Sequence, residues 1–204
     1  MVKKTTLIGR VTRSSTRGFI GALKAPEPEI PIFGGFCMAD AQRGASKVLG
    51  VIYNISIEDD DLTRQLAAAE QPTQEELADQ QLVRQIPIEF EALSIGYQVG
   101  STYHYSLPPQ PPLALASIYP LEAAEIENFT RHFEFIPLIF SAPALPVDEL
   151  LAASLRQAAL ARQKNEREGF LLEAGRYCAK LLSQDFSRMD SFLRNLRLNE
   201  KSES

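Results

Sequence analysis

Few residues in this chain stand at spacings that do chemistry. Gly44-Ala45-Ser46-Lys47 has the residue types of a phosphate-binding loop but not the order that sets a Lys and a hydroxyl behind a glycine-rich turn of amides. Glu58-Asp59-Asp60-Asp61 lacks the D-x-D-x-D-G spacing of a calcium loop, and its charge suits a solvated helix start. His104 and His132, with Cys37 and Cys178, cannot complete a four-ligand zinc site at ordinary spacing. Neither G-x-G-x-x-G, G-x-S-x-G nor H-E-x-x-H occurs. The expectation is a protein without catalytic, cofactor-binding or metal-ligating residues, and not an enzyme. Both cysteines read as buried small apolar residues in a reducing cytoplasm. The N-terminus has no signal-peptide apolar core, and no run of 18 apolar residues spans a membrane.

The elements that would position any working surface are of two kinds. The 204 residues, 45% hydrophobic and 23% charged, make an ordinary globular chain with a net charge of −5. Apolar and β-branched runs at residues 6–12, 18–23, 32–39 and 47–57 read as strands, with a proline-rich loop at residues 25–31. Strands resume where Ile86, Ile88 and Phe90 alternate with Glu89 and Glu91, and pass through Tyr103-His104-Tyr105 to the proline run at 108–112. Between them, residues 58–86 read as an exposed acidic insertion of two short helices, the second opened by the capping box Thr73-x-x-Glu76. From residue 147 the spacing is helical: Leu151, Leu155, Ala158 and Arg162 form one face, and Phe170, Ala174, Tyr177, Cys178, Leu181 and Leu182 another. Phe186, Met189, Phe192, Leu193 and Leu196 form a third, after a cap at Asp185 or Ser183. The predicted class is α+β: a small closed antiparallel-type β-barrel over residues 1–128, a linker at 129–146, and a helical tail at 147–204.

The strand order resembles that of the HAS-barrel. This is the small barrel at the N-terminus of HerA-type DNA-translocating ATPases and of the nucleotide-binding subunits of rotary ATP synthases. The matching text is Leu7-Ile8-Gly9-Arg10-Val11, then Gly18-Phe19-Ile20, then Val48-Leu49-Gly50-Val51-Ile52. It continues with Phe90-Glu91-Ala92-Leu93-Ser94-Ile95-Gly96-Tyr97, and closes with the prolines at 108–112 followed by Ser117-Ile118-Tyr119. The likeness covers roughly residues 5–128. In those families the barrel precedes a RecA-like motor. Here about 58 residues of helix follow instead, so the ATPase chemistry is not implied. What the resemblance implies is a barrel that packs side by side in a ring crown and docks partner proteins.

Function is therefore expected from contact: a protein-interaction or assembly module that docks on a partner protein or forms a homo-oligomer. The first 24 residues hold six bases and no acid, and Arg10, Arg13 and Arg17 are the partner-binding candidates there. Tyr177, Phe186 and Phe192 are the candidates in the tail. The tail stripes need burial, either back on the barrel or in a partner. If the partner provides it, removing residues 147–204 leaves a folded barrel. The alternative is a small-barrel nucleic-acid-binding protein, accessory to a DNA-translocating ATPase. It would use the basic opening strand, with Tyr103 and Tyr105 as stacking platforms. The acidic net charge and the absence of Trp count against it.

Overall fold

The computed structural model describes residues 7–25, 31–57, 86–142 and 145–197. The expected acidic helices at 58–86 fall outside the described residues, apart from Ile86 at the start of a strand. Among the described residues seven strands form: β1 (Gly9–Ser15), β2 (Gly18–Ala25), β3 (Phe36–Ala41), β4 (Ser46–Ile57), β5 (Ile86–Val99), β6 (Thr102–His104) and β7 (Ser117–Pro120). They pair in the order β2-β1-β7-β3-β4-β5-β6, and an additional β2–β5 pairing closes the ring. Every pairing is antiparallel. The result is a closed six-stranded barrel, with β6 hairpinned onto the end of β5, followed by C-terminal helices. The expected fold class is thus the observed one.

All six barrel strands contribute to one inner cluster, built from Val11, Phe19, Cys37, Ala39, Ala41, Val48, Ile52, Phe90, Ala92 and Ile118. A barrel this narrow is filled by side chains, and small residues must face large ones. Gly21 shows the complementarity: a Cβ there would lie 2.4 Å from Phe90 Cζ and 2.5 Å from Ile118 Cδ1. The β3–β4 turn is made by Gln42, Arg43 and Gly44, all at positive φ.

A second cluster lies on the outside of the barrel. Phe36, Met38, Leu49, Val51 and Ile95 join it from the strands. This explains the continuous apolar text of β3 and the first half of β4. Those strands are covered on both faces, so alternation vanishes there and returns at the uncovered end. The cover comes from α1 (Ala123–Phe129), α2 (Ile136–Phe140), α3 (Val147–Leu160), α4 (Lys164–Leu181) and α5 (Phe186–Asn195). Within residues 129–146, expected as a linker, Phe129, Phe135, Ile136 and Ile139 are all fully buried. Phe135 packs edge-on to Phe36 of β3 at 6.3 Å and tilted against Phe129 at 5.5 Å. The segment is the layer that joins barrel to tail.

Helix α3 is the centre of that layer. Eight of its residues are buried, more than the single face read from spacing, because α2, α4 and α5 all pack on it. Gly34, at φ +79°, brings the chain before β3 so close to α3 that a Cβ would lie 2.6 Å from Ala153 Cβ and 2.8 Å from the helix backbone. The acids at the start of α3 suit the helix dipole, and Asp148 also accepts two bonds from the Arg188 guanidinium at 2.7 and 2.8 Å, tying α3 to α5. Asp185 caps α5 by accepting from Arg188 N at 3.0 Å. Most of each tail stripe is therefore buried within the chain, with Leu181, Phe186 and Leu193 left exposed, and a folded barrel after loss of residues 147–204 is not what this shared core supports.

Candidate functional site

Arg10 and Arg13 are three residues apart, which in a regular strand puts them on opposite faces. A β-bulge at Thr12 cancels this. The register runs Arg10↔Ala22, Val11↔Gly21 and then Arg13↔Ile20, so both arginines face out while Val11 stays inside. A second bulge, at Tyr53 of β4, shifts the register from Ile52↔Ala92 to Asn54↔Glu91. It gives Glu91 two neighbours at once. Tyr53 OH donates to Oε2 at 2.6 Å and Asn54 Nδ2 donates to Oε1 at 2.9 Å. Arg13, Ile20, Glu91 and Asn54 thus form one row across four strands on the outer wall.

The electrostatics follow from these bonds. The Tyr53 hydroxyl, then Asn54, then the charge of Arg13 hold the Glu91 carboxyl below the usual carboxylate range. Burial and the same carboxylate push the Tyr53 hydroxyl up. A folded-state value below the ordinary one stabilises the fold at neutral pH, and that contribution is lost as pH falls through the folded value. Tyr53→Phe removes the largest cause, so the Glu91 value is expected to rise toward the ordinary range. Carboxyl ¹³C NMR titration of wild type and variant reads this directly; an unchanged Glu91 titration would contradict the assignment.

This wall forms one side of a half-open cleft of about 490 Å³. Arg13, Arg17 and Glu91 supply charge, and Leu93, Leu107, Leu138 and Leu145 supply apolar surface. Leu138 lies on α2 and Leu145 just before α3, so the cleft sits where barrel and helices meet. Ser94 also lines it; this residue is 1% exposed and its hydroxyl has no hydrogen-bond partner among the described residues. Cys37 and Cys178 are both free and buried, and burial pushes both thiols up, that of Cys178 to about 12 with help from the Asp148 charge. Neither is a thiolate at neutral pH.

The six residues singled out from the sequence fall into different settings. Arg13 and Arg17 share the cleft. Arg10 is turned to structural use, donating to the Leu115 carbonyl at 3.2 Å and to Ser117 Oγ at 3.1 Å. Tyr177 is half-buried with its ring 5.5 Å from Phe133, and Phe192 is 1% exposed in the outer core. Phe186 stands in solvent, 74% exposed. Of the residues weighed for other roles, His104 stacks on Tyr97 at 4.6 Å. Tyr103 and Tyr105 pack on Phe129 at 5.5 and 5.1 Å, so Phe129 already occupies these proposed stacking platforms. Among the described residues no group of three or more His, Cys, Asp or Glu side chains gathers to hold a metal, and no helix is long and apolar enough to cross a membrane.

Sequence spacing missed Tyr53, Asn54, Glu91 and the leucines of the cleft. The bulges that aim them leave no local signature, although the odd interval from Arg10 to Arg13 is the one hint. No family model matches the chain, and no curated protein matches it.

Proposed function

We propose that this protein is a non-enzymatic assembly module, a HAS-barrel-like barrel whose helical tail pairs with a second copy of the chain. The observation that carries the reading is Phe186. Its helix turns Phe192 and Leu196 into the core yet leaves this ring 74% exposed. Leu193, 36% exposed, lies seven residues on, two turns along the same side. A Cβ at Gly175 of α4 would lie 3.3 Å from the Leu193 side chain, and Leu172, 56% exposed, sits one turn before Gly175. The apolar edge therefore extends from α5 toward α4. Asp190, one turn on from Phe186, is already paired with Arg194 at 2.9 Å, so this side of α5 brings no unpaired acid to the edge. Two copies related by a two-fold axis meet there without net repulsion, and one patch serves both sides. The HAS-barrel resemblance implies association through the barrels in a ring, whereas the exposed apolar edge here lies on the helices. A reducing cytoplasm fits the two unpaired, buried cysteines.

Burying one such side chain contributes about 1.5–3 kcal/mol, and a symmetric dimer contains the contact twice. Phe186→Asp is therefore expected to weaken self-association at least about 100-fold. Sedimentation velocity over a micromolar concentration series tests this. The expected result is a wild-type dimer and a monomeric variant with an unchanged melting temperature. A wild type that stays monomeric, or a variant that dimerises equally well, would defeat the reading.

A further inference from the structure

We infer that the cleft between the β1–β2 turn and α2 binds an extended peptide segment from a partner protein, one that presents an acidic side chain beside leucine-sized apolar side chains. This site is separate from the α5 edge and does not depend on pairing there.

The first ground is charge. Several other arginines of the fold are engaged: Arg10 with Leu115 and Ser117, Arg162 with Thr130 and Ala158, Arg188 with Asp148. Among the described residues, no side-chain hydrogen bond or ion pair engages the guanidinium of Arg13 or Arg17. Glu91, the one carboxylate lining the cleft among the described residues, already accepts from Tyr53 and Asn54, and its field reaches Arg13 without a bond to it. Two guanidinium forks against one occupied carboxylate leave the cleft complementary to an anion.

The second ground is shape. A volume of about 490 Å³ is ligand-sized, but the cleft is half open. A free fatty anion needs an enclosed wall to bury its chain. A peptide crossing an open cleft sinks only alternate side chains and leaves its backbone in water. Leu107, Leu138 and Leu145 offer the apolar contact beside the two arginines.

The test uses the full chain with a randomised decapeptide library carrying blocked termini, screened on wild type and on the double variant Arg13→Gln/Arg17→Gln. The double variant must melt at the wild-type temperature, and Phe186→Asp serves as a variant with the cleft intact. The expected result is enrichment of Asp or Glu next to Leu, Ile or Met on wild type and on Phe186→Asp. That enrichment is lost on the double variant, and Leu138→Asp weakens the selected peptides at least tenfold. No enrichment, or enrichment that survives in the double variant, overturns the inference. So does displacement of the selected peptide by dodecanoate at lower concentration than by the unlabelled peptide, which would make the cleft a site for free amphiphilic anions.

Discussion

Cutting the chain after Pro146 is expected to leave residues 1–146 without a cooperative fold. The outer core unites Phe36, Met38, Leu49, Val51 and Ile95 of the barrel with Leu150, Leu151 and Leu155 of α3. All three leucines are fully buried. Removing α3, α4 and α5 uncovers the side chains of Phe135, Ile136 and Ile139 that face them, and frees the Gly34 segment that α3 holds against the barrel. Each large side chain returned to water costs about 1.5–3 kcal/mol. Three or four such losses match the whole stability of an ordinary domain, about 5–15 kcal/mol. The truncated chain should lose its near-ultraviolet circular dichroism, bind a hydrophobic dye and show no sharp thermal transition. A transition as cooperative as that of the full chain would show that the barrel is self-sufficient and that the helices merely adhere to it.

The second large effect is expected inside the barrel. Phe90 is fully buried among side chains from all six barrel strands, with Gly9 and Gly21 leaving room for its ring. Phe90→Ala empties a space that closely paired strands cannot collapse to fill. The expected loss is about 3–5 kcal/mol. For a chain of this size that lowers the melting temperature by about 6–20 °C. Calorimetry checks it. A shift of a degree or two would mean that the barrel interior is loosely packed, against the close approach of Gly21 to Phe90 and Ile118.

The class of fold was legible because period and order survive in one dimension. Alternation at Ile88 and Phe90 against Glu89 and Glu91, and helical spacing at Leu151, Leu155 and Ala158, each report which face is wet. The layer at 129–146 was not legible, because Phe129 and Phe135 pack on Phe36 of β3 and on Tyr103 and Tyr105 at the end of the β5–β6 hairpin, contacts that spacing within the segment does not report. Phe192 and Phe186 look alike in the same stripe. Only the packing of α5 against α3 and α4 separates the buried ring from the exposed one. The candidate cleft was half legible. Arg13 and Arg17 stand out by charge, whereas the register shifts that bring Glu91, Tyr53 and Leu93 beside them are a property of paired strands and not of either strand alone.

Self-pairing through α5 is tested most directly by disulfide trapping. Cys37 and Cys178 are buried and stay protonated at neutral pH, so cysteines added at the surface report alone. With Ser187→Cys, beside an intact Phe186 and Leu193 edge, mild oxidation at micromolar protein should give a covalent dimer. With Thr12→Cys, on the exposed barrel wall, it should give none under the same conditions. Equal trapping of both variants, or no dimer from Ser187→Cys, would contradict the account.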